Sequence, residues 1–365
     1  MHRRTFLLPV LLTGLLGACL DAEEADQIEQ RIVTAEAPVV DPRQLRRERE
    51  LEEASSALRA DMERAMANVS GRRGAAVKEI GRGDVIVAGS HEPMAQQSVS
   101  KLWVNLTVAE MVARGRMTYR DPVIVTDSDR AVFHQPLARR TSQGSVRTSV
   151  GELMTMAITR SDNMANQVLL DLVGGPAAVQ SWLIRNDVPI SFGPGDRIMQ
   201  PAISGLAWDP SYGDRNAFER ARNAIPAQIR ERSFSAYASS PVDGAGVVEM
   251  AEALERMQMG AFPGSRDIVA LMGDTTTGRS RLKAGTPPGW SLKHKTGTGQ
   301  TWRGRRAGFN DVGLMISPEG RAYAVAVMIG ESSSPDRAMQ QAIADIAMAV
   351  TAFHRRTQEC CARQM

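Results

Sequence analysis

Cysteine is scarce in this sequence, with three in 365 residues, and none is placed for a disulfide framework. Cys360 and Cys361 are chain neighbours, which can bridge only with strain, and Cys19 lies at the other end of the chain. Lysine is scarcer than the overall charge suggests. Of 44 basic residues only Lys78, Lys101, Lys283, Lys293 and Lys295 are lysines, so a motif that requires one rarely arises by accident. There is no block of one sign: acidic and basic residues are interspersed and the net charge is +3, which excludes an electrostatic case for nucleic acid as partner. The five histidines (His2, His91, His134, His294, His354) lack metal-ligand spacing, so neither a metal nor another cofactor is expected. Past residue 19 no apolar run approaches eighteen residues, so the mature chain is expected to have no transmembrane helix.

What is present describes an exported globular protein. The chain is 43% apolar and 23% charged, enough for a substantial core. Arg3 and Arg4 precede an apolar run from Phe6 to Leu16, too short to span a bilayer and suited to a signal peptide. The run ends in Leu16-Gly17-Ala18-Cys19, which resembles a lipobox with Cys19 as the lipidated residue. The arginine pair also resembles a twin-arginine export signal. The expected organisation is a signal peptide over 1–19, a linker over 20–43, a catalytic body over 44–356 and a polar tail over 357–365. The expected location is the periplasm, with membrane attachment by the lipid anchor only and a monomeric body.

Along the body, residues 44–69 lack Gly and Pro and carry Leu51, Leu58, Met62 and Met66 on one stripe, which predicts an amphipathic helix. Short β-type runs at 75–77 and 85–87 flank Gly81-Arg82-Gly83 and predict a hairpin. From Ser98 to about Arg114 the sequence is apolar all round, which predicts a central buried helix. Helices follow at 150–159, 162–173 and 176–184. Residues 191–240 are punctuated by Pro and Gly and are expected to be largely irregular, with one helical piece near 216–231. Helices near 245–258 and 264–272, strands at 290–296, 308–316 and 322–330, and a last helix at about 335–354 complete the chain. One sheet built from both ends of the chain, with a helical lobe between, is the α/β arrangement these elements suggest. No internal repeat is seen.

Three stretches carry chemistry. Ser98-Val99-Ser100-Lys101 sets a hydroxyl and an amine one turn apart on one face of the predicted buried helix. A serine needs a base to become a nucleophile, and a lysine serves only when desolvation or a neighbouring cation lowers its pKa. Ser161-Asp162-Asn163 stands at a helix start, where all three residue types favour capping; the functional alternative is a second hydroxyl for proton relay and an amide for substrate. Lys295-Thr296-Gly297-Thr298-Gly299 lies on a predicted strand, whose glycines leave room for another backbone. His294 is the histidine expected near such a site, whereas His91 and His134 read as surface or packing residues.

Ser-x-x-Lys, Ser-Asp-Asn and Lys-Thr-Gly in this order resemble the signature of class A β-lactamases and penicillin-binding DD-peptidases, over roughly residues 45–354. The resemblance implies an antiparallel five-stranded sheet flanked by helices plus an all-helical lobe, with the site between. It implies Ser98 as nucleophile, Lys101 as its proton partner and Ser161 as the relay to the leaving nitrogen. Asn163, Lys295, Thr296, Gly297 and Thr298 would bind substrate, and the backbone N–H groups of Ser98 and Thr298 would form the oxyanion hole. The substrate class is a β-lactam or a D-alanyl peptide.

Two features depart from that pattern. No glutamate occurs between Glu152 and Glu219, where a class A enzyme carries the deacylating glutamate; Asp196-Arg197-Ile198-Met199-Gln200 stands at that distance with an aspartate instead. Asp196 is therefore the candidate base, against a reading as a turn residue in Pro194-Gly195-Asp196 and against Glu219 as a second candidate. The resemblance implies that Glu219 lies on an insertion at about 200–240, since the segment from Ser-Asp-Asn to Lys-Thr-Gly is longer than the family's. No arginine occupies the strand after Lys-Thr-Gly, and Arg303, Arg305, Arg306 and Arg337 are equal candidates for the substrate carboxylate. Three functions are compatible: a serine β-lactamase, favoured by Asp196; a D-alanyl-D-alanine peptidase-like protein; and a non-hydrolytic lactam or peptidoglycan sensor, disfavoured because all three motifs are intact.

Overall fold

The structure, a computed structural model, describes the backbone of residues 41–362 and side chains through residue 358; the signal peptide, Cys19, most of the linker and the side chains of Cys360 and Cys361 lie outside the described residues. The chain divides into residues 1–49 and a compact unit over 50–365. The helix Pro42–Met66 carries the chain into that unit, and its buried stripe is Ala54, Leu58, Met62 and Met66. Leu51, expected on the stripe, is 37% exposed although its seven-residue spacing from Leu58 is in phase; the buried stripe begins at Ala54.

The central sheet runs β2 (Ile86–Gly89), β1 (Arg72–Glu79), β11 (Ala322–Ser332), β10 (Phe309–Ile316), β7 (Ser291–Thr298). Every neighbouring pair is antiparallel, so the five long strands match the expected sheet. Two short strands, β8 (Thr301–Trp302) and β9 (Arg305–Ala307), extend it from β11. Alternation along β11 sorts the core into two layers. Tyr323, Val325, Val327 and Ile329 pack with Leu58, Met62, Ile343 and Val350 of the two terminal helices. Ala324, Ala326 and Met328 face the lobe with Trp103, Leu106, Met250 and Leu254. Two-residue strands β3 (Met94–Ala95) and β6 (Gly244–Ala245) pair with each other, as do β4 (Pro122–Val125) and β5 (Val146–Ser149).

The lobe is built around the helix Lys101–Ala113, in which every residue from Lys101 to Glu110 is buried. Its all-round hydrophobicity thus has the expected cause. Fully burying Trp103 or Leu106 contributes roughly 2–3 kcal/mol each relative to exposure. Helices Val150–Thr159, Asn163–Leu172 and Pro176–Arg185 surround it. Ser149 caps the first by accepting from the Glu152 N–H, and Pro176 opens the third.

Two expectations are corrected. The segment 191–240 is mostly helical, with Asp196–Ile203, Arg215–Ala224 and Ala227–Ser239 in place of one helical piece near 216–231. That piece breaks at Ile225, which is extended (φ −66°, ψ 131°) because the residue before a proline is driven out of the helical region. Its other prolines fall at helix starts or within Asp196–Ile203, so they punctuate helices rather than prevent them. The last helix, expected to end near 354, runs Asp336–Ala362. No Gly or Pro stops it, and Thr357 is buried, with Arg321 donating to its hydroxyl at 2.9 Å.

Candidate active site

The helical lobe supplies the first side of the site. Gln97, at φ 53°, turns the chain into a 3₁₀ turn, Gln97–Ser100, that leads into the buried helix. This places Ser98 half-buried at the helix mouth and Lys101, 1% exposed, directly beneath it. The Lys101 Nζ lies 2.8 Å from Ser98 Oγ, 2.9 Å from Asn163 Oδ1 and 3.3 Å from Asp196 Oδ2. One amine therefore touches the candidate nucleophile, the candidate base and the candidate substrate amide.

Ser161-Asp162-Asn163 serves both readings at once. Asp162 is the cap: its carboxylate accepts from the Ala165 N–H at 3.0 Å and from the Leu137 N–H at 2.6 Å, tying the helix to the neighbouring loop. Burial raises its pKa, and those backbone donors work against the rise. Ser161, in the left-handed region at φ 59°, and Asn163 turn instead toward the cavity. Asn163 Nδ2 donates to the Val132 carbonyl at 2.7 Å, which fixes its amide with Oδ1 toward Lys101.

The sheet supplies the opposite side. Lys295 on β7 is wholly buried, and its Nζ donates to Ser161 Oγ at 2.9 Å and to the Thr296 carbonyl at 3.1 Å. Burial first, and the charge of Lys101 second, hold its pKa well below the ordinary amine value. The glycines of this strand have the use expected of them. A Cβ on Gly297 would meet the Gln96 carbonyl oxygen at 2.3 Å, so only glycine lets β7 lie against the segment that presents Ser98.

These groups open onto a cavity of about 490 Å³ lined by Ser98, Ser161, Asn163, Asp196, Thr296 and Thr298, among others. Asp196 is the first residue of its helix, entered through Gly195 at φ 86°. Glu219 lines the same cavity but is tied to Arg222 at 2.7 Å. The segment expected to be an insertion thus forms a wall of the cavity: Arg215, Glu219 and Arg222 face it, with the Arg222 guanidinium over the rings of Phe133 and Phe218. His134 also lines the cavity, and its Nε2 lies 3.0 Å from the Arg160 carbonyl. His294 does not line it: it shares a face of β7 with Thr296, which does, but lies two residues further along the strand, where its Nδ1 pairs with Asp311 Oδ1 at 2.8 Å. Among the described residues no group of three or more His, Cys, Asp or Glu side chains is disposed to hold a metal ion.

The arginine at the sheet side is one that sequence reasoning missed. Arg305 is bound to Glu231 and Glu331, and Arg306 to Asp336. Arg281, 7% exposed, reaches into the cavity instead. It donates to the carbonyls of Gly297 (3.1 Å) and Asn310 (2.6 Å) and to Thr298 Oγ1 (2.6 Å), with its guanidinium over Phe309. Burial pushes it down to about 10, so it stays a cation at neutral pH. Nothing in its local sequence marks it. It arrives because Gly278 (φ 71°) packs against Thr296, where a Cβ would meet Cγ2 at 2.5 Å.

Comparison with known proteins places this geometry. The model of the β-lactamase enzyme family matches residues 57–353. The extended-spectrum β-lactamase PER-1 of Pseudomonas aeruginosa is 27% identical over 266 residues, covering 72% of this chain and 76% of that one. The β-lactamase VEB-1 of the same organism is 26% identical over 259 residues, covering 70% and 76%. Among solved structures, the TLA-3 extended-spectrum β-lactamase superposes with a TM-score of 0.67 at 21% identity, over 82% of this chain and 99% of that one. A class A β-lactamase of Bacteroides cellulosilyticus gives 0.66 at 20% identity, over 82% and 98%.

Proposed function

Because the chain belongs to the β-lactamase enzyme family, we propose that it hydrolyses the amide of a β-lactam through an acyl-enzyme on Ser98. The observation that carries the residue roles is the Lys101 amine, within reach of Ser98 Oγ, Asn163 Oδ1 and Asp196 Oδ2 together. Lys101 in its neutral form takes the Ser98 proton as Oγ bonds to the lactam carbonyl carbon. The backbone N–H groups of Ser98 and Thr298 hold the developing oxyanion, each such donor contributing about 3 kcal/mol. The C–N bond breaks as Ser161, hydrogen-bonded to Lys295, gives its proton to the leaving nitrogen and takes in exchange the proton that Lys101 removed from Ser98. Asn163 contacts the side-chain amide. Lys295, Thr296, Thr298 and the buried Arg281 attract the substrate carboxylate, with Gly297 allowing the close approach of β7.

Asp196 then takes a proton from water, whose oxygen attacks the ester carbon; the Ser98–acyl bond breaks, and the proton on Asp196 passes through Lys101 to Ser98 Oγ. The short aspartate reaches because its helix begins at the cavity, beside the amine that also holds Ser98. Nitrocefin turnover by the purified protein, lost in Ser98→Ala, tests the activity. Intact-mass analysis tests the base: Asp196→Asn retains a penicilloyl adduct that the wild type clears. A single burst without steady-state turnover by the wild type identifies a DD-peptidase-like protein instead, and normal turnover by Asp196→Asn removes that residue from the role.

The same reading includes export to the periplasm, lipid attachment at Cys19, a monomeric body and protection of a lactam-susceptible host. Its support is the leader: Arg3-Arg4, the run to Leu16 and Leu16-Gly17-Ala18-Cys19. Palmitate labelling of the wild type, absent in Cys19→Ala, tests the anchor; light scattering of the body tests the monomer.

A further inference from the structure

The insertion does more than wall the cavity. Tyr237, on its second helix (Ala227–Ser239), sends its hydroxyl beneath the site, where it donates to Asp243 Oδ1 at 2.8 Å and accepts from Gln97 Nε2 at 2.6 Å. Gln97 precedes Ser98 in the chain and has two attachments. Its backbone N–H donates to Asp243 Oδ2 at 2.8 Å, and its side-chain Oε1 accepts from Gln200 Nε2 at 2.9 Å. Gln200 lies one helical turn beyond Asp196 on the same helix. All four side chains are buried, at 7% exposure or less, where each unmade hydrogen bond is costly. Burial pushes Asp243 up to about 6, so it is ionised at neutral pH and accepts both bonds; burial and Asp243 together hold the Tyr237 hydroxyl protonated.

We infer that Tyr237 is a positioning residue for deacylation: by fixing the Gln97 side chain, it holds Gln200 and with it the helix that carries Asp196. The two attachments of Gln97 make the role separable. Its backbone, and so the setting of Ser98, hangs on Asp243 and survives loss of the hydroxyl. Its side chain, the arm that reaches Asp196, is anchored by the 2.6 Å bond from Nε2 to Tyr237 and by a longer one, 3.3 Å, to the Ala307 carbonyl, so loss of the hydroxyl removes the shorter anchor. The inference rests on the proposed β-lactamase chemistry, in which Ser98 acts in acylation and Asp196 in deacylation.

Tyr237→Phe keeps the ring and removes the hydroxyl. With nitrocefin, a slower second step lowers kcat and KM together and leaves kcat/KM, which reports acylation, unchanged. The expected result is a fall of roughly tenfold in both constants, since small misplacements of a reacting group carry penalties of this order or larger. Intact mass should show the acyl adduct accumulating during turnover. Gln200→Met cuts the other end of the same arm and should give the same split; it stands in if Tyr237→Phe does not fold, and in the double variant the losses should not multiply. A fall in kcat/KM equal to that in kcat, or no change in either, overturns the role of Tyr237. A wild type that never clears its adduct overturns the β-lactamase reading, and this inference with it; the wild-type trace separates the two failures.

Discussion

Lys101 and Lys295 are both buried lysines, each with its amine within 2.9 Å of a serine hydroxyl, yet their surroundings differ. Lys101 has a carboxylate, Asp196, at 3.3 Å and an amide oxygen besides. Lys295 meets only neutral oxygens, from Ser161 and Thr296, and faces the charge of Lys101. A carboxylate at contact gives Lys101 a partner for proton exchange, whereas burial beside another cation loosens the proton of Lys295. Two lysines of one chain, each supplied by a short motif, are thus put to different electrical use. Lys101 sits where a proton can be exchanged between Ser98 and Asp196, and Lys295 keeps positive potential on the sheet side at a cost in desolvation.

The comparison breaks most visibly if Lys101 is made neutral. Lys101→Met removes the only side chain that bridges Ser98, Asn163 and Asp196. Acylation, followed as the rate of penicilloyl adduct formation by intact mass, should fall roughly 10³-fold or more, the scale of a lost general base acting on a nucleophile. An adduct formed at the wild-type rate would move the proton acceptor elsewhere.

The sheet side is sharpened by its arginine. Arg281→Ala removes a buried cation that spans Gly297, Asn310 and Thr298, and KM for a lactam carrying the usual carboxylate should rise about tenfold to a hundredfold, equivalent to a charge-assisted hydrogen bond of roughly 1.5–3 kcal/mol. Arg306→Ala, which breaks a half-exposed pair with Asp336, should change KM less than twofold. Steady-state kinetics of the two variants side by side decide whether burial or mere proximity to β7 selects the arginine.

That residue also marks where the sequence stops being legible. The two lysines and both serines could be singled out because they sit in short motifs on elements whose periodicity is plain: an all-apolar helix and an alternating strand. The structure brings these stretches to one cavity. Arg281 belongs to no motif, and its place depends on Gly278 letting the chain pass over Thr296, a tertiary fact that local spacing does not encode. The insertion was misread for a related reason. Proline frequency suggested irregular chain, but helices tolerate proline at their first turn, and only Ile225-Pro226 produced a break. Leu51 shows the limit of periodicity itself, since it is in phase with Leu58 and yet exposed: spacing sets the face and not where along the helix burial begins.

The smallest expected effect concerns stability and tests the burial of the sheet-side amine. Lys295 has a pKa lowered well below 10.5 in the folded chain by burial, so at pH 7 the unfolded chain holds its proton more tightly than the folded one. Wherever the unfolded state binds more protons, stability rises with pH, so the penalty is fully present below the folded value and disappears as pH passes 10.5. Lys295→Met fills the same space without the charge, leaving Ser161 one donor short. The variant should be more stable than the wild type at pH 7 by about 1–2 kcal/mol, the range found when buried charges give way to apolar groups. Thermal melts from pH 7 to 10 should show this advantage shrinking as the wild type catches up. An advantage that stays constant over that range would mean that Lys295 carries its proton equally well folded and unfolded, and that its burial does not loosen it.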